Sequence, residues 1–545
     1  MEQQRNILLI VLLCATLFLF WNWNSDKVNA AKLAEQQAAA QANASDLASE
    51  STIGQIITLK SDNLLLSVNL NGGDIIDAKL LKIKQEQNKE DPFHLLMTEP
   101  SFVYQAQSGS VGKDGPDAKQ KRPIYITDKT EYVLEDGQDS LSVELVYENN
   151  GVIYKKVYTL NRNSYVVNLD YKVENKTDST LQLSFYSQLK QTSDDSFLRK
   201  DTSFGMVASA YRGTAYSSDD TRYEKATLDD IIEDKRTDVK TKDGWVAMIQ
   251  HYFVSAWIGD EKLNNVIYSQ PSSDDTAGII GIRTENTEIA PQSNYKFNSK
   301  LWVGPKDQEA MSNVAPNLDL TVDYGWLWFI SIPLFKILAF FHSLVGNWGF
   351  SIILLTLVVR GVMFPLTKAQ YTSMAKMRLL QPKMVELRER YKDDRAKLGQ
   401  ETMRLYKAEK VNPLGGCLPL LIQMPIFIAL YWTLMESTEL RQSSFILWIT
   451  DLSVHDPYFV TPILYGISMY FLQRMSPTPV TDPIQKKVFM AMPFVFTFMF
   501  CTFPAGLTLY WLISNCFTIF QQVIIFRSLE KRGLSVKKAK AEEAK

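Results

Sequence analysis

The chain has 545 residues, of which 46% are hydrophobic and 22% charged, and its formal net charge is −2. That is more material than one core accommodates, so several folding units are expected. The four cysteines, Cys14, Cys417, Cys501 and Cys516, lie in or beside apolar runs, which argues against a disulfide framework, and His94, His251, His342 and His455 are scattered without HExxH or CxxC spacing, so no metal site or cofactor is expected.

In chain order, residues 1–24 hold an apolar run from Ile7 to Trp23 preceded by Arg5. It reads as an uncleaved membrane anchor, because Trp21 and Trp23 suit an interfacial belt; a signal peptide cleaved near Val28-Asn29-Ala30 is the alternative. Residues 25–51 are rich in Ala, Gln and Ser and form a flexible tether. Across 52–318, short β-branched and aromatic runs alternate with turn signals. Strands are expected at Leu64 to Leu70, Leu141 to Tyr147, Val152 to Leu160, Tyr165 to Val173, Leu181 to Leu189, Val266 to Tyr268, Ile279 to Ile282 and Tyr295 to Trp302. Turns fall at Asn71-Gly72-Gly73-Asp74 and Asn149-Asn150-Gly151. This region reads as a large β-sandwich closed by a short helix at Lys306 to Val314.

The remainder is helical and apolar. Residues 319–342 read as an interfacial helix carrying Lys336. Membrane helices are expected at 343–367, 414–436, 458–473, 488–503 and 505–526, which gives six with the anchor. A helical hairpin at 368–413 shows Met377, Leu380, Met384, Leu387 and Tyr391 at coiled-coil spacing. The loops at 437–457 and 474–487 and the tail at 527–545 complete the chain. Between Lys368 and Lys410 there are twelve Lys or Arg against six Asp or Glu, and the tail has seven against three. Both segments therefore belong on the cytoplasmic side, while the acidic β-domain and the loop with Glu436, Glu439, Asp451 and Asp456 belong outside.

Arg360 lies inside the first of the later apolar runs, Trp348 to Leu366, Leu418 to Met435, Phe459 to Leu472, Val488 to Phe503 and Ala505 to Phe526, none of which contains an Asp or Glu to neutralise it. Two readings are open. The side chain snorkels, since it stands roughly 9 Å from the cytoplasmic end at 1.5 Å per residue, or it faces a wet cleft between helices. Thr356 and Thr367 share its face, Gln423 offers another wall, and Tyr510, Ser514, Thr518 and Gln521 recur at helical spacing. Ordinary interhelical hydrogen bonding accounts for any one of these alone. Met and Phe around them, including Met424, Phe427 and Met435, suit unlike helical clients or plain packing. On the hairpin, Lys376, Arg378, Lys383, Arg388 and Arg390 form a basic surface that fits anionic lipid, ribosomal RNA or acidic clients, or simply sets topology. No DNA partner and no chemical transformation is expected. A secondary transporter and a membrane-anchored periplasmic binding or carbohydrate-modifying protein are the rival classes.

The stretches Asn347-Trp348-Gly349-Phe350-Ser351, Arg360-Gly361, Pro365-Leu366-Thr367-Lys368-Ala369-Gln370-Tyr371, Asn412-Pro413-Leu414-Gly415-Gly416-Cys417 and Gln423-Met424-Pro425 closely resemble the YidC membrane insertases of Gram-negative bacteria. The resemblance implies a multi-pass α-helical membrane protein with a five-helix core and a hydrophilic groove centred on Arg360, plus a periplasmic β-supersandwich. It implies an insertase and chaperone of nascent inner-membrane proteins that works alone or with the Sec translocon (SecYEG and SecDF) and meets the ribosome through the basic hairpin and tail. Both termini would be cytoplasmic in the bacterial inner membrane. Thr356, Arg360 and Tyr510 carry over as groove residues and Phe427 as part of a hydrophobic slide. Trp511 departs from the Tyr-Tyr pair expected there, so a hydroxyl role at that position is in doubt while aromatic contact is kept.

Overall fold

The structure, a computed structural model, describes residues 54–531 apart from 88, 119–121, 195–210, 234–235, 393, 410–417 and 476–482. The expected anchor, the tether, Cys417 and the tail beyond 531 lie outside the described residues. The chain divides at Val322–Asp323 into two compact units, one of strands and one of helices.

The first unit is built from an eleven-stranded and an eight-stranded sheet. Hairpin strands Ser140–Asn149 and Val152–Asn161 turn through Asn150 (φ 50) and Gly151 (φ 79). Two successive left-handed residues give the twist that a two-residue hairpin needs, and Asn and Gly adopt it at least cost. Strands Val152–Asn161 and Val166–Asn175 bury every second residue, placing Tyr154, Tyr158, Leu169 and Tyr171 in the core. All eight expected strands are present, and others lie between them. Trp245–Ile249 and Phe253–Ile258 are buried on both faces, so they lack the two-residue rhythm. Phe102–Val111 hides Ser108 and Ser110 in the core. The closing helix α2 is shorter than expected, Gln308–Ser312, and follows α1 at Leu228–Ile232. Asp307 caps it by accepting from Ala310 N at 2.9 Å.

Those buried serines belong to a charged knot under the Gly72-Gly73 turn. Arg122 bridges Asp74 (2.8 Å) and Asp117 (2.7 Å). Lys156 Nζ, fully inaccessible, donates to Gly72 O (2.6 Å), Ser108 O (2.8 Å) and Ser108 Oγ (2.9 Å). Gly72 has φ 86, and a Cβ there would lie 2.7 Å from Arg122 Cζ, so both backbone and space require glycine.

The helical unit contains α3 (Trp328–Val345), α4 (Trp348–Val362), α5 (Phe364–Leu379), α6 (Gln381–Arg390), α7 (Arg395–Ala408), α8 (Leu418–Glu436), α9 (Val460–Met475), α10 (Pro483–Phe500) and α11 (Ala505–Lys531). By length and composition, the stretches Gly325–Val345 and Ala505–Leu529 are apolar enough to cross a membrane. Helix α3 begins later than the interfacial helix placed at 319–342, because Leu318–Thr321 form a 3-10 turn of the β unit. The span expected as one helix over 343–367 is broken: α4 stops at Val362 and α5 departs at 59°. The single heptad helix expected through Tyr391 is also interrupted, at Leu380, with Pro382 opening α6. Pro is a good helix starter because its missing N–H has no partner to lose in the first turn. Leu334, Leu338, Ile352, Leu355, Leu430, Tyr465 and Trp511 form the main core, and Tyr371, Ala375, Ile525 and Leu529 hold α5 against α11.

Burial pulls the Lys156 ammonium from its ordinary 10.5 to about 8, with Arg122 adding to the effect and Asp74 and Asp117 opposing it. Between pH 8 and 10, the unfolded lysine binds a proton that the folded one has released, so stability rises with pH; below 8 both are protonated and the penalty is complete. Thermal melts of the β unit in the full chain should climb across this window, before tyrosines with an ordinary value of 10.0 ionise in the unfolded chain. Lys156→Met should melt at a temperature that is flat over the same range.

Candidate functional site

Arg360 stands in the last turn of α4. The helix is set in register by Asn347, whose side chain accepts from Phe350 N at 3.1 Å. The Arg360 guanidinium is half-buried and reaches across to α11, where its Nε donates to Ser514 Oγ at 2.7 Å. A second nitrogen of the fork donates to the same hydroxyl. From α8, Gln423 turns its amide oxygen to the fork and accepts from two guanidinium nitrogens at 2.8 and 3.0 Å, the orientation that places acceptor against donors. Among the described residues no carboxylate lies within 4.0 Å of Arg360. Neutral oxygens therefore satisfy its donors without cancelling its charge.

The backbone is tied in as well. Gln521 Nε2 donates to Arg360 O at 3.0 Å. Because α4 ends at Val362, that carbonyl has no intrahelical donor, and the α11 amide replaces it. Tyr510, Ser514, Thr518 and Gln521 are all buried on one face of α11. Thr518 turns its hydroxyl onto Ser514 O (2.7 Å), and Thr356, fully buried, donates to Ile352 O (2.6 Å). Both threonines thus satisfy their hydroxyls within their own helices. Thr367 does the same, to Met363 O at 3.0 Å.

One turn along α8 from Gln423, Phe427 stacks on Trp511 with ring centroids 5.1 Å apart at 18°. Trp511 also meets Phe500 at 4.1 Å. Its indole N–H is buried and finds no acceptor among the described residues. Sequence reasoning missed the link from Asn515 Nδ2 to Ser468 Oγ (3.1 Å), which ties α11 to α9. Its signal was an Asn beside the recognised stripe.

On the basic hairpin, Lys376 is half-buried on α5, and Lys383, Arg388 and Arg390 are exposed on α6. Lys383 pairs with Glu409 at 2.6 Å and Arg390 with Glu386 at 3.0 Å. The Arg378 side chain lies outside the described residues. Among the described residues, no group of three or more His, Cys, Asp or Glu is arranged to hold a metal ion.

The model of the YidC periplasmic domain matches residues 56–337, and that of the 60Kd inner membrane protein matches 340–532. A membrane protein insertase YidC from Aeromonas hydrophila is 53% identical over 98% of this chain and 99% of its own. That of Haemophilus influenzae is 47% identical over 99% of this chain and 100% of its own. Among solved structures, an active YidC insertase with its first transmembrane domain resolved aligns over 87% of this chain and 94% of that one, at 19% identity and a TM-score of 0.37.

Ser514→Ala or Gln423→Leu deprives the guanidinium of an acceptor, and each should destabilise the detergent-solubilised protein by ~1–3 kcal/mol in chemical denaturation. In an Arg360→Met background the same changes should cost little. A double-mutant cycle with no coupling energy would show that these contacts do not hold the cation.

Proposed function

The chain belongs to the YidC family of inner-membrane protein insertases, which are not enzymes, and from that premise we propose that it passes hydrophobic segments of nascent membrane proteins into the bilayer through a hydrophilic groove centred on Arg360. The observation that carries this reading is a cation whose hydrogen bonds are accepted by Ser514 and Gln423, both neutral. A charge so held attracts the polar flank or acidic residues of an entering polypeptide, and this lowers the barrier to moving them into a low-dielectric layer. Tyr510, Ser514 and Thr518 form the wall on α11 and Thr356 the wall on α4. Phe427 and Trp511 offer the apolar side along which the client's hydrophobic face slides.

The basic excess of Lys368 to Lys410 supports a cytoplasmic hairpin that touches anionic lipid and ribosomal RNA, with both termini on that side and the β unit in the periplasm. Cooperation with the Sec translocon and a chaperone role in client folding are supported by the family resemblance.

In vesicles holding the purified protein, a short single-span client should become protease-protected without nucleotide hydrolysis by this chain. Arg360→Ala should reduce protection on the order of tenfold, equivalent to ~1.4 kcal/mol, for clients with acidic translocated segments, and less for neutral ones. Arg360→Lys should retain most activity. An equal loss for both client classes would remove the electrostatic role. Deleting 52–304 should leave most single-span insertion intact; its abolition with the helices still folded would move the activity to the β unit.

A further inference from the structure

The segment joining α8 to α9 is closely hydrogen-bonded and exposes apolar side chains. Its tip, Ser443 to Thr450, carries no charged residue. Phe445 N donates to Ile449 O (2.9 Å), Ile449 N to Ile446 O (3.1 Å) and Leu452 N to Ser443 O (3.0 Å), which closes a tight double turn. The turn is clamped to the bundle: Asn347 Nδ2 donates to Phe445 O (3.1 Å), Phe445 meets Phe350 edge-on at 5.2 Å, and any Cβ at Gly349 would collide with the Phe445 ring. The other arm is bound by Ala505 N to Val454 O (2.7 Å) and Gly506 N to Leu452 O (2.9 Å).

What this scaffold presents is the opposite of a soluble loop. Leu447 is 80% exposed while its backbone takes φ 54, a left-handed conformation that a leucine adopts only against steric cost. Ile446, Val454, Tyr458 and Phe459 are exposed as well. Asp451 and Asp456 instead point inward. Asp456 is buried and accepts from Trp448 Nε1 (3.0 Å), Tyr458 N (3.0 Å) and Thr461 N (2.8 Å), while Asp451 accepts from Gln442 N (3.0 Å) and Ser453 N (2.8 Å). Trp448 and Tyr458 stand edge to face at 6.4 Å, the pairing of amphipathic rings favoured where hydrocarbon meets water. From Phe459 the exposed apolar surface runs without interruption onto Ile463, Leu464, Ile467 and Phe471 of α9.

We infer that this segment is an interfacial anchor, seated among the headgroups and upper acyl chains of the leaflet opposite the basic hairpin. The occupant of its surface is lipid. The inference rests on the reading of α9 and α11 as membrane-embedded, because the loop's exposed apolar residues lead onto those of α9 and its backbone is bound to the start of α11. A strained leucine at the tip of a turn clamped to the bundle fixes the depth of the helix ends and so the local thickness of the layer beside the site.

The test uses the full-length protein in phosphatidylcholine and phosphatidylglycerol vesicles, with its native cysteines replaced by Ala. Three single-cysteine forms carry an environment-sensitive fluorophore: Leu447→Cys, Tyr458→Cys, and the form retaining Cys516, which is exposed on α11. A lipid with a nitroxide near the glycerol backbone should quench the labels at 447 and 458 about twofold or more, aqueous iodide should scarcely reach them, and a lipid with its nitroxide near the end of the acyl chain should quench the Cys516 label, which lies deep along α11. Tyr458→Cys reports the same surface if the Leu447 variant folds poorly. Iodide quenching at 447 and 458 with no lipid quenching, while the Cys516 label is quenched by nitroxide lipid, would overturn the anchor alone. A Cys516 label equally untouched by nitroxide lipid would overturn the membrane placement of α11 and the anchor with it.

Discussion

A guanidinium placed among apolar helices must be satisfied, and the choice of partner decides whether its charge survives. An aspartate would hold Arg360 firmly and neutralise it. Ser514 and Gln423 instead fill the donor positions with dipoles, so the hydrogen bonds are made and the positive potential remains. Much of the helical unit follows from keeping these two oxygens in reach. Helices α4, α8 and α11 must converge at one level, and they do so over a core in which Leu355, Leu430 and Trp511 pack together. The Gly506 backbone, pressed against Leu452 O, fixes where α11 begins and hence which face Ser514 presents.

Helical spacing was enough to put Tyr510, Ser514, Thr518 and Gln521 on one side of α11 and Thr356 one turn from Arg360, since periodicity is a local property. Which polar group meets which across the bundle was not legible. Thr356 and Thr518 share the stripe but bond within their own helices, and the contact between Gln521 and a main-chain carbonyl depends on α4 ending where it does. The two helix breaks carry a signal in the sequence. Pro365 and Pro382 each lie one residue inside a new helix, and a proline so placed starts a helix as readily as it kinks one.

The β unit divides along the same line. Strands with one face inward, such as Val152–Asn161, declare themselves by alternation. Strands buried on both faces, such as Trp245–Ile249, lose the rhythm, and Phe102–Val111 conceals its strand character because serines in its core serve a buried lysine. The Gly72-Gly73 turn was visible in the sequence. The charged knot beneath it was not, because Asp74, the Asp117–Arg122 stretch and Lys156 come from three separate places in the chain.

The abrupt departure of α5 at 59° leaves Arg360 in the final turn of α4, where unsatisfied main-chain carbonyls gather. The aligned peptide units of α4 give that terminus a fractional negative charge, and a cation there is favoured. The partial charge that favours the cation here belongs to the main chain, which cannot take up a proton. An ion pair would weaken as its acid titrates, whereas this arrangement holds its polarity across the swings of acidity that accompany an energised membrane.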